Sequence, residues 1–373
     1  MKNKRIIITV TSDLCTDQRV QKVALSLQNI GFDVLLIGRK RRRSRSFTAS
    51  FPFQRMKLVF EKGFFFYAEY NIRLFFRLLR LKADIQIACD TDTLIPNYLV
   101  SKIVKRKLLF DAHEIFPEVP ELYNRKNVKR CWLLIEQLIF PRLQYAMTVC
   151  DSIARYYKEK YGINMKVIRN IAYLNNDLVK PLILAKDKKI LLYQGALNEG
   201  RGLEWLIDCM HLLDDCVLIV IGGGPLRWDL KRRVSKQKIK DKVEFIGRIL
   251  PKELVRYTKA ADIGLCLLEN KGLSYYYSLP NRVFDYMQAG IPILASNFPE
   301  IATIVKEHNT GVLIDHYEPE YLASVITTML KNGKEEYSKN LKEISKLLCW
   351  EKEQEKLFEL VADMVEHKYK HKK

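Results

Sequence analysis

Short apolar, β-branched runs alternate with helical patterns along the whole chain, which predicts parallel βαβ units. In the first half the predicted strands are residues 5–10, 34–37, 85–89, 108–111, 146–149 and 166–168. In the second half they are 190–194, 217–221, 243–246, 263–267, 293–295 and 312–314. Each set is enough for its own doubly wound sheet, in which ligands bind at loops following the carboxyl ends of strands. The polar stretch 169–189, with Asn175-Asn176-Asp177 and Pro181, separates the sets and reads as a linker. The expected organisation is therefore an N-terminal Rossmann-like domain over 1–168, a linker over 169–189 and a second Rossmann-like domain over 190–348. An amphipathic helix fills most of 349–373, ending in the basic tail 367–373.

Composition adds little to this fold but narrows the setting. A length of 373 residues exceeds what one core usually serves, and 48% hydrophobic with 28% charged residues is ordinary for a folded chain. The eight cysteines are scattered without a C-x-x-C pair, several within apolar runs, which predicts buried thiols in a reducing cytoplasm. Apolar residues 6–10 are too few for a signal h-region, and the aromatic run 64–68 falls far short of a membrane span. Charge is uneven: residues 1–170 carry 32 Lys+Arg against 15 Asp+Glu, whereas 171–373 carry 31 against 28. Only the first half is therefore expected to meet a polyanion or an anionic surface.

Candidate chemistry sits at the predicted strand ends. In residues 275–290, Pro280 and Gly290 bound a helix whose free N–H groups suit a diphosphate. Arg282 is placed to reach the same phosphates, while Asn281 and Asp285, at i and i+4, share a face where a carboxylate can accept ribose hydroxyls. A capped surface helix with a solvated Arg–Asp pair accounts for the segment equally well. In the second constellation, 191–203, Gly195 ends a strand and Arg201 sits in a polar loop between Gly200 and Gly202, suited to clamping a phosphate. The third, Gly222-Gly223-Gly224 after a buried strand, permits close backbone approach by a ligand or makes a structural turn. Pro225 and Leu226 break the G-x-G-x-x-G pattern, so nicotinamide binding has weak support.

In the first half, His113 ends a strand and can donate to a phosphate or sugar hydroxyl, with Glu114 beside it to orient the ring. Asp13, Asp17 and Arg19 follow the first strand, where polar residues are expected to face ligand. Asp90 and Asp92 are expected to cap the next helix rather than bind acceptor hydroxyls. Asp90-Thr91-Asp92 has the D-x-D spacing of some metal sites but lies in the half without the donor loops, so no metal is expected.

The order and spacing of 16–39, 110–122, 193–203, 221–226, 243–250 and 278–296 (SLPNRVFDYMQAGIPILAS) resemble the retaining GT-B glycosyltransferases of family 4, over nearly the whole chain. The resemblance implies a GT-B fold of two Rossmann-like doubly wound domains facing a cleft, with nucleotide-sugar donor on the second and acceptor on the first. It implies an enzyme moving a sugar from a UDP- or GDP-sugar to a glycan or lipid-linked acceptor, in bacterial surface polysaccharide synthesis, without cofactor or metal. By position, Arg201 and Arg282 would neutralise the leaving diphosphate, Asp285 would hold the ribose, the backbone around Arg248 would read the base, and His113 would contact the sugar or its phosphate. Gly195, Gly223, Gly224, Tyr277, Leu279 and Asn281 complete the expected donor site, and Asp13, Asp17, Arg19 and Glu114 the acceptor side. The final helix would cross back onto the first domain. Tyr277 stands where the family commonly has a sugar-reading Glu, and Ala196 where it often has Arg.

The basic run 39–45 and the arginines of 63–81 predict peripheral contact with an anionic membrane, on its cytoplasmic face, against the alternative of a packed helix with exposed arginines. Three rival readings remain, one of them a catalytically dead sugar-binding homologue, which Arg201, Arg282 and Asp285 speak against. A nucleic-acid binder would explain the pI of 9.5 but no recognition module is present, and an oxidoreductase or epimerase would rest on Gly222–Gly224 alone.

Overall fold

The computed structural model describes residues 4–42, 44–174, 179–182 and 188–366. Arg43 of the basic run, Asn175-Asn176-Asp177 of the expected linker and the tail 367–373 lie outside the described residues. The chain divides into two compact units, Met1–Asn170 with Glu353–Lys373, and Ile171–Lys352.

The first unit is a parallel sheet of β1 (Arg5–Asp13), β2 (Asp33–Lys40), β3 (Phe53–Lys57), β4 (Ile85–Cys89), β5 (Lys107–Ala112), β6 (Tyr145–Thr148) and β7 (Lys166–Val167). Its order is β3-β2-β1-β4-β5-β6-β7, so the direction of winding reverses between β1 and β4. Helices α1 (Gln18–Asn29), α2 (Gly63–Arg80), α3 (Leu94–Ile103), α4 (Lys126–Ile139) and α5 (Asp151–Tyr161) cover it. Because helices cover both faces, central strands read as continuous apolar runs, as in the fully buried Ile6, Ile7 and Ile8. The edge strand β3 is the one not predicted. Only Met56 of its FQRMK sequence is buried, which leaves no apolar run to read.

The second unit contains β8 (Lys189–Gln194), β9 (Cys216–Ile221), β10 (Val243–Gly247), β11 (Ile263–Cys266), β12 (Ile293–Ser296) and β13 (Gly311–Ile314), in the order β10-β9-β8-β11-β12-β13. Its helices are α6 (Leu203–Cys209), α7 (Arg227–Lys236), α8 (Pro251–Ala260), α9 (Leu273–Tyr276), α10 (Asn281–Ala289), α11 (Pro299–Glu307), α12 (Pro319–Asn332) and α13 (Glu335–Leu347). The reversal here falls between β8 and β11, so the loops after these strands open the crevice where ligands bind in such sheets. The last helix, α14, runs from Trp350 to Glu366. From Glu353 onward it belongs to the first unit, where Gln354 accepts from Ser26 (2.9 Å) and Glu353 accepts from the Arg169 N–H (2.8 Å).

Helix α10 shows how packing fixes the site. Its apolar side, Val283, Phe284, Tyr286 and Met287, is buried, and the Tyr286 hydroxyl lies within hydrogen-bond reach of the Leu192 and Leu265 carbonyls, 3.1 and 3.2 Å away. The Tyr286 ring lies flat on Gly264, where a Cβ would come within 2.3 Å of it. Gly264→Ala is therefore expected to destabilise the chain by about 1–3 kcal/mol through overpacking. Denaturant unfolding checks this, and a cost below a few tenths would contradict the packing account. The eight cysteines are free: six are buried, Cys15 is half-buried and Cys131 is exposed.

Candidate active site

Helix α10 has the expected nine residues. It ends where Gly290 turns left-handed (φ 71°), while Pro280 occupies the N-cap rather than the first turn. Arg282 lies one residue into the helix and points inward, only 6% exposed. Its guanidinium stacks over the Tyr193 ring at 4.6 Å and donates to the Gln194 carbonyl at 3.4 Å. Among the described residues no carboxylate forms an ion pair with it. Arginine does not shed its proton to escape burial, so this is a fixed positive charge at the β8/β11 crevice.

Asp285, one turn along, accepts from Gln194 Nε2 at 2.7 Å, while Thr258 donates to Gln194 Oε1 at 2.8 Å. Gln194 therefore holds a carboxylate oxygen of Asp285 in place. Sequence reading missed this residue, although an amide ending a buried apolar strand is the available signal. In the loop after β8, Arg201 stacks over Tyr275 at 4.5 Å, and its Nε is buried without a partner among the described residues. Gly200 and Gly202 both take left-handed backbone (φ 75° and 68°) to make this turn.

The triple glycine has a structural cause. A Cβ on Gly222 would meet the Gly195 carbonyl at 1.8 Å, and one on Gly224 the Leu197 carbonyl at 2.3 Å. The loops after β8 and β9 are joined by hydrogen bonds from Leu197 N to Gly223 O (3.3 Å) and Leu226 N to Leu197 O (3.1 Å). Gly223 is bare for the Arg248 side chain, whose Nε would lie 2.8 Å from a Cβ there. Of the remaining donor-side residues, Arg248 and Asn281 are exposed, Leu279 is buried and Tyr277 closes α9 with its ring 5.3 Å from Tyr276.

In the first unit, His113 is held by a charge network. Its Nε2 is 3.0 Å from Asp111 and its Nδ1 3.3 Å from Asp90, whose Oδ1 also accepts the His113 backbone N–H at 2.8 Å. Two carboxylates facing both ring nitrogens favour the imidazolium. Burial works against it, but Asp90 and Asp111 outweigh burial and raise the pKa well above the usual value. Asp111 in turn takes a buried ion pair from Arg19 (2.6 Å), with the two side chains 2% and 1% exposed. Burial would push the Asp111 carboxyl up, yet Arg19 and His113 hold it well below the usual range.

This network corrects several expectations. Arg19 does not face ligand; it is spent on Asp111 and on the Ile168 carbonyl (2.8 Å). Asp17 caps α1, accepting from Val20 N at 3.3 Å, and Asp13 pairs with Arg55 at 2.9 Å. His113 is oriented by Asp90 and Asp111, one on each ring nitrogen, whereas Glu114 follows it in a bend beyond the end of β5. Asp90 makes no side-chain cap; its backbone is left-handed (φ 59°) and its carboxylate serves His113. Asp92 accepts from Thr11, and burial with the nearby Asp90 charge pushes its pKa up to about 7. Cys89, Asp111 and His113 offer ligand atoms within 4.8 Å of one another, but the Arg19 guanidinium and the imidazolium already supply the positive charge there.

His113 gives a pH prediction. A raised folded pKa adds stability that is complete below the unfolded value near 6.5 and drains as pH rises towards the folded value, by up to about 1.4 kcal/mol per pH unit. Relative to His113→Gln, the native chain should thus lose stability between about pH 6 and 8, and parallel denaturation curves at the two pH values would refute this.

Residues 176–347 match the family model described as glycosyl transferases group 1. The alpha-monoglucosyldiacylglycerol synthase of Streptococcus pneumoniae is 33% identical over 160 residues, 41% of this chain and 34% of that protein. The chain thus spans about a third of that relative's length, and 47% of the length of an archaeal glycosyltransferase from Methanocaldococcus jannaschii. Among solved structures, sucrose-phosphate synthase from Thermosynechococcus elongatus superposes with a TM-score of 0.81 at 18% identity, covering 97% of this chain and 99% of that one. Anabaena HepE in complex with UDP-glucose gives 0.70 at 14%, covering 97% and 100%. Two doubly wound parallel units of this kind make up the GT-B fold, and residues 176–347, a little under half of the chain, are similar to the glycosyl transferases group 1 family.

Proposed function

We propose that the chain is a retaining glycosyltransferase that moves a sugar from a UDP- or GDP-sugar to a glycan or lipid-linked acceptor. The observation that carries this reading is Arg282, a buried cation without a carboxylate partner among the described residues, at the N-terminus of a helix beside the β8/β11 crevice. A diphosphate there would meet Arg282, the α10 N–H groups and Arg201, whose Nε is unpartnered. These groups oppose the charge that grows on the diphosphate as the bond to the sugar breaks. Asp285 would accept ribose hydroxyls, and the backbone near Arg248 would meet the base. In same-face attack, the leaving phosphate oxygen takes the acceptor hydroxyl's proton, so no side-chain nucleophile is needed. His113 would contact the sugar or its phosphate. Slow donor hydrolysis across a panel of UDP-, GDP- and ADP-sugars tests the proposal, and inertness to all of them would overturn it.

A role in surface polysaccharide or glycolipid synthesis would bring the acceptor to a membrane, and the pneumococcal relative is named for a glucosylated diacylglycerol. Among the described residues no helix is long and apolar enough to cross a membrane. Helix α2 nevertheless buries Phe66, Tyr70, Leu74 and Leu78 while leaving Phe64 (78%), Phe65 (63%), Ile72 and Phe76 exposed. Exposed aromatics beside Arg73 and Arg80 suit an anionic lipid surface. Flotation with anionic vesicles is expected at low salt and should be lost in the Phe64→Ser/Phe65→Ser double variant; an unaltered float would count against α2.

A further inference from the structure

At the end of the first sheet opposite His113, the amino ends of β1, β4 and β5 frame a cavity of 430 Å³. Lys4, Lys82, Lys105, Arg106 and Lys107 line it, with Asp84 as the one carboxylate among its described lining residues. The six residues of β5 separate it from His113 by roughly 20 Å, so it is distinct from the His113 network.

We propose that this cavity is a second anion site, taking a phosphate-bearing ligand through Lys4, Lys82, Lys105 and Lys107. Cations gathered around one space repel each other unless an anion joins them. Lys4, Lys82 and Lys105 form no ion pair among the described residues. Asp84, whose carboxylate also accepts the Arg5 backbone N–H at 2.8 Å, and Asp363 near Lys107 offset part of this charge, and the lining cations still outnumber the one lining carboxylate. Arg106 is structural, since it donates to the carbonyls of Leu78 (2.9 Å) and Leu81 and so ties down the end of α2 that borders the cavity. Lys107 donates to the Met364 and Val365 carbonyls, which fixes its ammonium at the rim. Burial and the neighbouring Lys4 charge lower the Lys107 pKa, the direction expected of crowded cations.

Lys105 adds a separate observation. It follows α3 in left-handed backbone (φ 55°), where glycine or asparagine is favoured. This turn places a fourth ammonium at the cavity. The volume exceeds one phosphate and suits a diphosphate or the headgroup of an anionic phospholipid.

Hydrogen exchange on the full chain, read at residues 82–85 and 104–107, locates the ligand. Inorganic diphosphate at low ionic strength is expected to protect both segments. The Lys82→Gln/Lys105→Gln variant, altered at two exposed positions, should need at least tenfold more diphosphate while unfolding like the native chain. Arg282→Ala should leave this protection unchanged, which separates the site from the donor reading whether or not that reading holds. Protection by phosphatidylglycerol vesicles alone, lost in the same double variant, would assign a lipid headgroup rather than free phosphate. Absence of protection by either probe, or protection indifferent to the double variant, would overturn the site.

Discussion

Replacing Arg282 with alanine is expected to lower kcat/KM for the preferred donor by about 10²–10³-fold, or roughly 3–4 kcal/mol of transition-state stabilisation. The size follows from where the guanidinium lies. It is buried against Tyr193, fixed by the Gln194 carbonyl and served by no carboxylate among the described residues, so its field reaches the crevice without solvent screening. Charge that grows on the diphosphate during bond cleavage should feel it more than ground-state charge does, and kcat should fall more than KM rises. Because Arg282 also packs, Arg282→Lys is the control. It retains charge and stem but loses the planar stack and the fork geometry, and intermediate activity is expected. An Ala variant that folds and turns over donor at the native rate would remove the central support for the proposed function.

Arg19→Met should cost about 3–5 kcal/mol of folding stability, because it strands a buried carboxylate. Asp111 would lose the bidentate guanidinium that holds its charge and would retain only His113. The carboxyl should then titrate higher, and the variant's deficit should shrink as pH drops and the stranded carboxylate takes up a proton. Sign and size are separable here: the paired change Arg19→Met/Asp111→Leu should recover much of the loss, since it removes both charges together. Equal stability of the single and double variants would show that the pair contributes through packing instead.

Among the described residues twelve of thirteen strands were legible, most clearly the central ones, because parallel strands covered on both faces are apolar throughout and a run such as ILLY or VLIVI has little other use. β3 escaped because FQRMK mixes polar and apolar residues and buries only Met56, leaving no apolar run to read. The α10 boundaries were legible from Pro280 and Gly290, residues that act on the backbone locally. What could not be read were pairings over long sequence separations. Arg19 and Asp111 are 92 residues apart, and Gln194 and Asp285 are 91 apart. Adjacency misled at His113: Glu114 is next in sequence, but Asp90 arrives from another strand and Asp111 from two residues back. Polar residues at a strand's end were rightly singled out as a class, while the choice between reaching outward and bonding inward depended on partners the linear chain does not display.

The interlock of the loops after β8 and β9 limits how such an enzyme can be re-engineered. Gly222 and Gly224 lack side chains because Gly195 and Leu197 occupy that space, and the two loops exchange backbone hydrogen bonds. A chimaera that imports the first loop from a relative of different sugar preference would set a foreign backbone path against glycines matched to the old one. The smallest transplantable piece is the two loops together, and specificity libraries confined to either one should yield mostly misfolded clones.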